Sequence, residues 1–272
     1  MGTGIFRGWR QNMGNQLDHG IRTNVKTSTY SPILELRRYA LHSGRREELI
    51  ELFEREFIET QEAVGIQLIG QFYDLDHPNQ FVWFRGFNDM SAREQSLRAF
   101  YSGPVWRAHR EAANATMIDT DNVLLLRPAH AASGFSLKKG TRPPRDSHSV
   151  RHGFVTATIY YFQQPATADF IGYFEHTIHP ELMEADISIL AYFVTEDSPN
   201  TFPGLPVREA EYVFVWFAGF ESQNAYERQL AKLERSERWN NEISRFLKRH
   251  LRGKPELLRL TPTPRSWLIG KV

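Results

Sequence analysis

From Ile33 the chain reads ILELRRYAL, an alternation that suits a half-buried β-strand, with Glu35, Arg37 and Tyr39 on one face and Leu34, Leu36 and Ala40 on the other. Over residues 45–64 the period changes, and Leu49, Leu52, Phe53, Phe57, Thr60 and Val64 share one helical face. Residues 66–74 return to a strand pattern, and the turn DLDHPNQ leads into a third strand, FVWFRGF, at 81–87. Ser91 with Glu94 has the form of a capping box opening one long helix to residue 116, and DNVLLLRP ends the unit as a fourth strand. The predicted order is β-α-β-β-α-β, an antiparallel sheet with both helices on one face.

The same order is then written again. FVWFRGF recurs as FVWFAGF at 214–220, which places Trp83 and Trp216 133 residues apart, the spacing that also separates Trp106 from Trp239. Upstream the spacing is 121, pairing Tyr39 with Tyr160 and IQLIGQFYD with ISILAYFVT. The difference locates an insertion in EDSPNTFPGLPVREAE, between Thr195 and Tyr212, where three prolines mark an extended loop. The expected organisation is a disordered leader over 1–30, a first unit over 31–129, a linker over 130–151 and a second unit over 152–272. A sheet face carrying Phe, Trp and Tyr must be covered, and the second copy supplies the cover as an internal pseudo-dimer. Further homo-oligomerisation stays open.

The segments ELRRYALHSGRREELIELF, the DLD turn, FVWFRGF and GPVWRAHREAANATMIDTDNVLLLRP together resemble the NIPSNAP family over residues 33–128. The second copy resembles it more loosely, keeping FVWFAGF and the ERSERW helix without the HREAANATM segment. The resemblance implies an α+β fold of two tandem ferredoxin-like (βαββαβ) repeats, packed sheet to sheet as a pseudo-dimeric α+β barrel. Relatives of that barrel class include antibiotic-biosynthesis monooxygenases, haem-degrading enzymes and chlorite dismutase-like proteins, and the animal members of the family are associated with mitochondria and vesicle or mitophagy roles. Kinship of fold fixes no reaction.

Candidate chemistry concentrates in the first copy. His109 follows Trp106 by three residues on a helical face that also carries Ala113, with Asn114 near it. At the 133 spacing His109 aligns with Glu242 and Asn114 with Leu247, so the repeated fold does not require them. A neutral imidazole beside an indole can bind a ligand, act as a base or ligate haem iron; it can equally be a core histidine bonded to a carbonyl. Arg37, Tyr39, Trp83 and Arg85 form a second group, whose counterparts are Thr158, Tyr160, Trp216 and Ala218. It reads either as an ion pair of Glu35 with Arg37 or Arg85 at a buried inter-sheet face, or as a cleft for a carboxylate or phenol. His176 and His179 have metal-sharing spacing, but no HExxH order accompanies them.

Composition narrows the field. Without cysteine there is no disulfide, thiol nucleophile, iron–sulfur cluster or cysteine zinc site. Lys and Arg number 33 against 32 Asp and Glu, which leaves no electrostatic footprint for nucleic acid. No apolar run has the length of a membrane span, so a cytoplasmic location is expected. GxSxG, GxxxxGK[ST] and GxGxxG are absent. The expected function is binding of a small apolar or aromatic ligand in the first repeat, as a cofactor-independent oxygenase or isomerase. A non-enzymatic interaction or scaffold protein is the alternative, and a haem-binding protein a narrower one; no other cofactor and no metal are expected.

Overall fold

Strand β1 (Ile33–Leu41) forms as its alternation predicts in a computed structural model that describes residues 31–136, 142–147, 149 and 151–270. The expected leader lies outside the described residues, as does part of the expected linker. The helical segment after β1 is continuous but uneven. An α-helical stretch α1 (Arg46–Leu52) passes into a π-helical turn (Phe53–Phe57) and then α2 (Ile58–Glu62). Strands β2 (Gln67–Asp74) and β3 (Gln80–Phe87) follow, joined by a turn in which Asp74 Oδ1 accepts from the backbone N–H groups of Asp76 and His77.

The long helix expected up to residue 116 is two helices, α3 (Met90–Tyr101) and α4 (Pro104–Asn114). Ser102 and Gly103 break it, and Pro104 starts the second helix where a missing N–H costs nothing. The capping residue is also not Ser91. Asp89 accepts from Ala92 N at 2.7 Å and starts α3 two residues earlier. β4 (Met117–Pro128) completes the first half.

The second half repeats the order: β5 (Phe154–Phe162), α5 (Ala168–Tyr173), a π-helical turn (Phe174–Ile178), α6 (His179–Glu184), β6 (Ser188–Thr195), β7 (Tyr212–Phe220), α7 (Gln223–Glu234), another π-helical turn (Trp239–Ile243), α8 (Ser244–His250) and β8 (Glu256–Pro262). The repetition reaches fine detail. The register of β2 against β3 shifts between Leu68 and Gly70, and that of β6 against β7 shifts between Ile189 and Ala191, 121 residues on.

The eight strands close into one barrel in the order β1-β3-β2-β8-β5-β7-β6-β4. Each half thus contributes four neighbouring strands, its fourth beside its first. The halves do more than face each other, because they join at two short antiparallel seams: Phe72–Asp74 with residues 260–262, and residues 126–128 with 193–195. Closure removes the sheet edges that would otherwise recruit foreign strands.

The inward side chains of both halves form one core, among them Leu34, Leu36, Phe84, Val155, Phe193 and Phe217. Two tails fill what the strands leave open. After β4 the chain turns back and Phe135 enters the barrel, its ring centroid 5.0 Å from Phe217 and 5.3 Å from Phe193. After β8 the corresponding tail brings in Leu268, 133 residues later. The outer face of each half-sheet is covered by that half's own helices, giving two further cores.

Candidate functional site

Because Leu34 and Leu36 face the barrel interior, the pleat turns Glu35, Arg37 and Tyr39 outward, under the helices of the first half. This corrects the expected location: the charged group lies between sheet and helices and not at an inter-sheet face. From β3, Trp83 and Arg85 join it on the same side, since Arg37 lies opposite Trp83 and Glu35 opposite Arg85 in the antiparallel register. Helix α3 adds Arg93.

Three guanidinium groups converge on one carboxylate. Arg37 Nη1 and Arg85 Nε donate to Glu35 Oε2, each at 2.7 Å, and Arg93 Nε donates to Oε1 at 2.6 Å. All four side chains are fully buried. Burial by itself would raise the Glu35 pKa, but Arg85, Arg37 and Arg93 outweigh it and hold the carboxyl well below the usual range. Glu35 is therefore an anion that anchors arginines and is poorly suited to take up a proton. Burial pushes the Tyr39 phenol the other way, upward, and keeps it neutral while it accepts from Arg37 Nε at 3.0 Å.

Aromatic rings wall the cluster. The Arg37 guanidinium carbon lies 5.4 Å from the Tyr39 ring centre and 5.6 Å from that of Trp83, and Arg85 lies 5.0 Å from Trp83. Phe53, from the π-helical turn, packs on Trp83 at 4.9 Å. Such turns are frequent where a helix must re-aim side chains at a functional site. Farther out, Trp106 contacts Phe57, Phe100 and Tyr101.

The lid comes from the other half. Within the insertion between β6 and β7, Asn200 Oδ1 and Thr201 Oγ1 accept from Arg93 Nη1 at 3.0 and 3.2 Å. Thr201 Oγ1 donates to Met90 O, and Phe202 stacks on Tyr101 at 6.0 Å. The sequence located this insertion but not its destination.

Of the residues singled out from the sequence, Arg37, Tyr39, Trp83 and Arg85 are brought together. Trp106 stands in the aromatic wall. His109 lies outside the cluster, half-buried, its Nε2 3.7 Å from Glu56 Oε2 and its ring edge-on to Phe57 at 6.4 Å. Asn114 is exposed at the end of α4. The His109 imidazole turns Nε2 to the Glu56 carboxylate, surroundings that do not fit an axial haem ligand. Among the described residues no three His, Asp or Glu side chains converge as metal ligands, and His176 instead bonds Gly172 O at 2.8 Å.

Sequence reasoning missed Arg93, Gln61, whose Oε1 accepts from Arg85 Nη1 at 3.3 Å, and the lid residues. Arg93 had a usable signal: at the 133 spacing it aligns with Tyr226, as Arg85 aligns with Ala218.

Residues 34–132 match the family model of NIPSNAP. No curated protein matches the chain. Among solved structures, a candidate monooxygenase from Fusobacterium nucleatum subsp. nucleatum is 10% identical, with 89% of this chain and 99% of that one covered at a TM-score of 0.50; the likeness is one of fold. A candidate monooxygenase from Lactobacillus acidophilus is 15% identical, covering 89% of this chain and all of its own at a TM-score of 0.49. An uncharacterised NIPSNAP-like domain protein from Burkholderia xenovorans is 26% identical over 40% of this chain and 94% of its own, at a TM-score of 0.35.

Proposed function

We propose that this chain, whose residues 34–132 form a NIPSNAP domain, binds a small aromatic molecule between the sheet and helices of its first repeat. The reaction proposed is that of a cofactor-independent oxygenase or isomerase. In this reading the chain is two tandem ferredoxin-like repeats, divided at a linker over 130–151, of which one keeps the site and the other serves as partner and lid.

A single observation carries the reading. Four charged side chains are buried with an aromatic wall in the first repeat, and their counterparts in the second are Thr156, Thr158, Ala218 and Tyr226. The second repeat builds the same half-barrel without them, so the fold does not need them. Buried ionic groups are costly to place and weak stabilisers, which favours a role in binding. The chemistry available is electrostatic: guanidinium groups in a water-poor site stabilise negative charge that develops on a substrate oxygen. Glu35 orients them. His109, Trp106 and Asn114 would serve as outer positions of the same site.

An interaction protein would present a broad apolar face. Among the described residues the large exposed apolar side chains are Leu75, Ile118, Met183 and Leu257, and they are scattered over separate segments.

The test is a thermal-shift and fluorescence titration with one- to three-ring aromatic compounds, followed by oxygen uptake for those that bind. Saturable binding that Trp83→Leu weakens at least tenfold is expected. If no compound binds, or binding is indifferent to Trp83, the reading is wrong.

A further inference from the structure

The hydrogen bonds of the arginine cluster do not close. Nη2 of Arg85 and Nη2 of Arg93 are buried and donate to no group among the described residues, and neither does Nε1 of Trp83. Within a guanidinium, Nε and Nη2 share one edge, and both arginines turn that edge toward Glu35 through Nε. The two free donors therefore flank the same carboxylate.

The charges do not balance either. Three buried guanidinium groups surround one carboxylate, and their other acceptors are neutral: Gln61, the Tyr39 phenol, the Thr120 carbonyl, Asn200 and Thr201. Among the described residues no second carboxylate bonds to them. An excess of two buried positive charges is costly unless an anion joins them. The second repeat needs no such anion, since it has no charge at any of the four places.

Resting on the reading of the first repeat as a ligand site, we infer that its ligand is an anion, a carboxylate, enolate or phenolate oxygen seated on the free Nη2 groups of Arg85 and Arg93. The Asn200–Thr201 segment of the other repeat covers it. An oxyanion suits this place because it can accept from the two free Nη2 groups, one on each arginine. The aromatic wall then holds the body of the ligand, and Trp83 Nε1 supplies a further donor beside it.

The experiment titrates wild type and Arg93→Gln calorimetrically with 2-naphthoate and with 2-naphthamide, its uncharged isostere. In parallel, the nitrate dependence of the melting temperature is compared between wild type and Arg93→Gln. Naphthoate is expected to bind wild type at least tenfold more tightly than the amide. Arg93→Gln is expected to abolish that preference, weakening naphthoate at least tenfold more than the amide. If amide and acid bind wild type alike, the anion assignment is overturned and the small-molecule reading survives. If neither aromatic binds but nitrate raises the melting temperature, and Arg93→Gln removes the effect, the anion assignment stands and the aromatic ligand falls. If nothing binds and nitrate is inert, both fall. Should Arg93→Gln not fold, wild-type crystals soaked in bromide decide: an anomalous peak within hydrogen-bond reach of Arg85 or Arg93 Nη2 supports the assignment, and its absence there overturns it.

Discussion

Glu54 and Glu175, 121 residues apart, occupy the second position of equivalent π-helical turns, and each receives the tail that leaves the other repeat. Glu54 Oε1 accepts from Thr263 Oγ1 at 2.5 Å and from Arg265 N at 2.8 Å, both beyond β8. Glu175 Oε1 accepts from Tyr192 Oη at 2.8 Å and lies 3.0 Å from Nε2 of His130, beyond β4. Ala132 N donates to His130 Nδ1, so the ring's proton sits on Nε2 in the neutral form and is aimed at Tyr192 and Glu175. The tails also pair with strands in matching ways. Ser133 exchanges backbone and side-chain hydrogen bonds with Tyr192, and Ser266 Oγ accepts from Gln71 N. The barrel is thus closed by reciprocal straps as well as by its two seams.

Removing one strap tests this arrangement. Glu54→Ala leaves the buried Thr263 hydroxyl and the Arg265 N–H without their acceptor, at a cost of about 2–4 kcal/mol. Hydrogen exchange should accelerate over 263–268 and stay unchanged over 130–135. Equal acceleration of both tails would mean that the straps are not independent.

Phe135 bears on the barrel interior. Its ring is 1% exposed and touches Phe84, Phe193 and Phe217, which come from both halves. Phe135→Ala opens a cavity in a core that cannot collapse around a closed hydrogen-bonded wall, and we expect a loss of about 3–5 kcal/mol. Urea denaturation measures it directly; a loss below about 1 kcal/mol would show that the residue does not plug the barrel.

Periodicity made the strands and the repetition legible, because a half-buried strand and an amphipathic helix write their burial into local spacing. The pleat likewise told which residues share a face with Glu35. It could not tell which face meets the helices, since that depends on how two sheets close on each other. Arg93 reads locally as one more surface charge on a helix rich in them, and only its contact with a strand 58 residues away makes it a buried ligand of Glu35. Helical spacing put His109 on the face of Trp106, and both rings meet Phe57; Asn114, placed near that face, is exposed at the end of α4.

The lid predicts a kinetic effect. Asn200→Ala removes an acceptor of Arg93 together with the bonds that fold the loop on Phe202 N and Leu205 O, each such hydrogen bond being worth about 0.5–1.5 kcal/mol. Ligand dissociation should quicken by roughly two- to tenfold with association little altered. Stopped-flow displacement reads both; a change confined to association would place the loop outside the bound complex.

A stability comparison separates binding from folding. Writing the second repeat's residues into the first, as Glu35→Thr, Arg37→Thr, Arg85→Ala and Arg93→Tyr together, removes an entire ionic cluster and leaves no charge stranded. Replacing a buried ionic cluster in this way is often neutral or stabilising, so the variant should unfold within about 2 kcal/mol of wild type at pH 7. Glu35→Gln alone strands three guanidinium groups and should cost about 3–5 kcal/mol. If the quadruple variant is the less stable of the two, the cluster holds the fold together after all.

The same pair of proteins fixes the pH dependence. The folded pKa of Glu35 lies well below its unfolded value, chiefly because Arg85, Arg37 and Arg93 overcome the effect of burial. As pH falls below about 4.5, the unfolded chain takes up the Glu35 proton while the folded protein does not, so this contribution is complete above that pH and is lost into acid. The slope due to one such group is about 1.4 kcal/mol per pH unit. Glu54 works in the opposite direction: burial raises its folded pKa against the pull of Thr263 and Arg265, so its contribution declines as pH rises through the interval above its unfolded value. Glu54 is present in both proteins, so its effect cancels in the difference between wild type and the quadruple variant. Between pH 4 and pH 3 the wild type should therefore lose about 1 kcal/mol more than the variant in urea titrations. Parallel curves would mean that Glu35 does not stay ionised in the folded protein, and the arginine cluster would then be unable to hold the charge assigned to it.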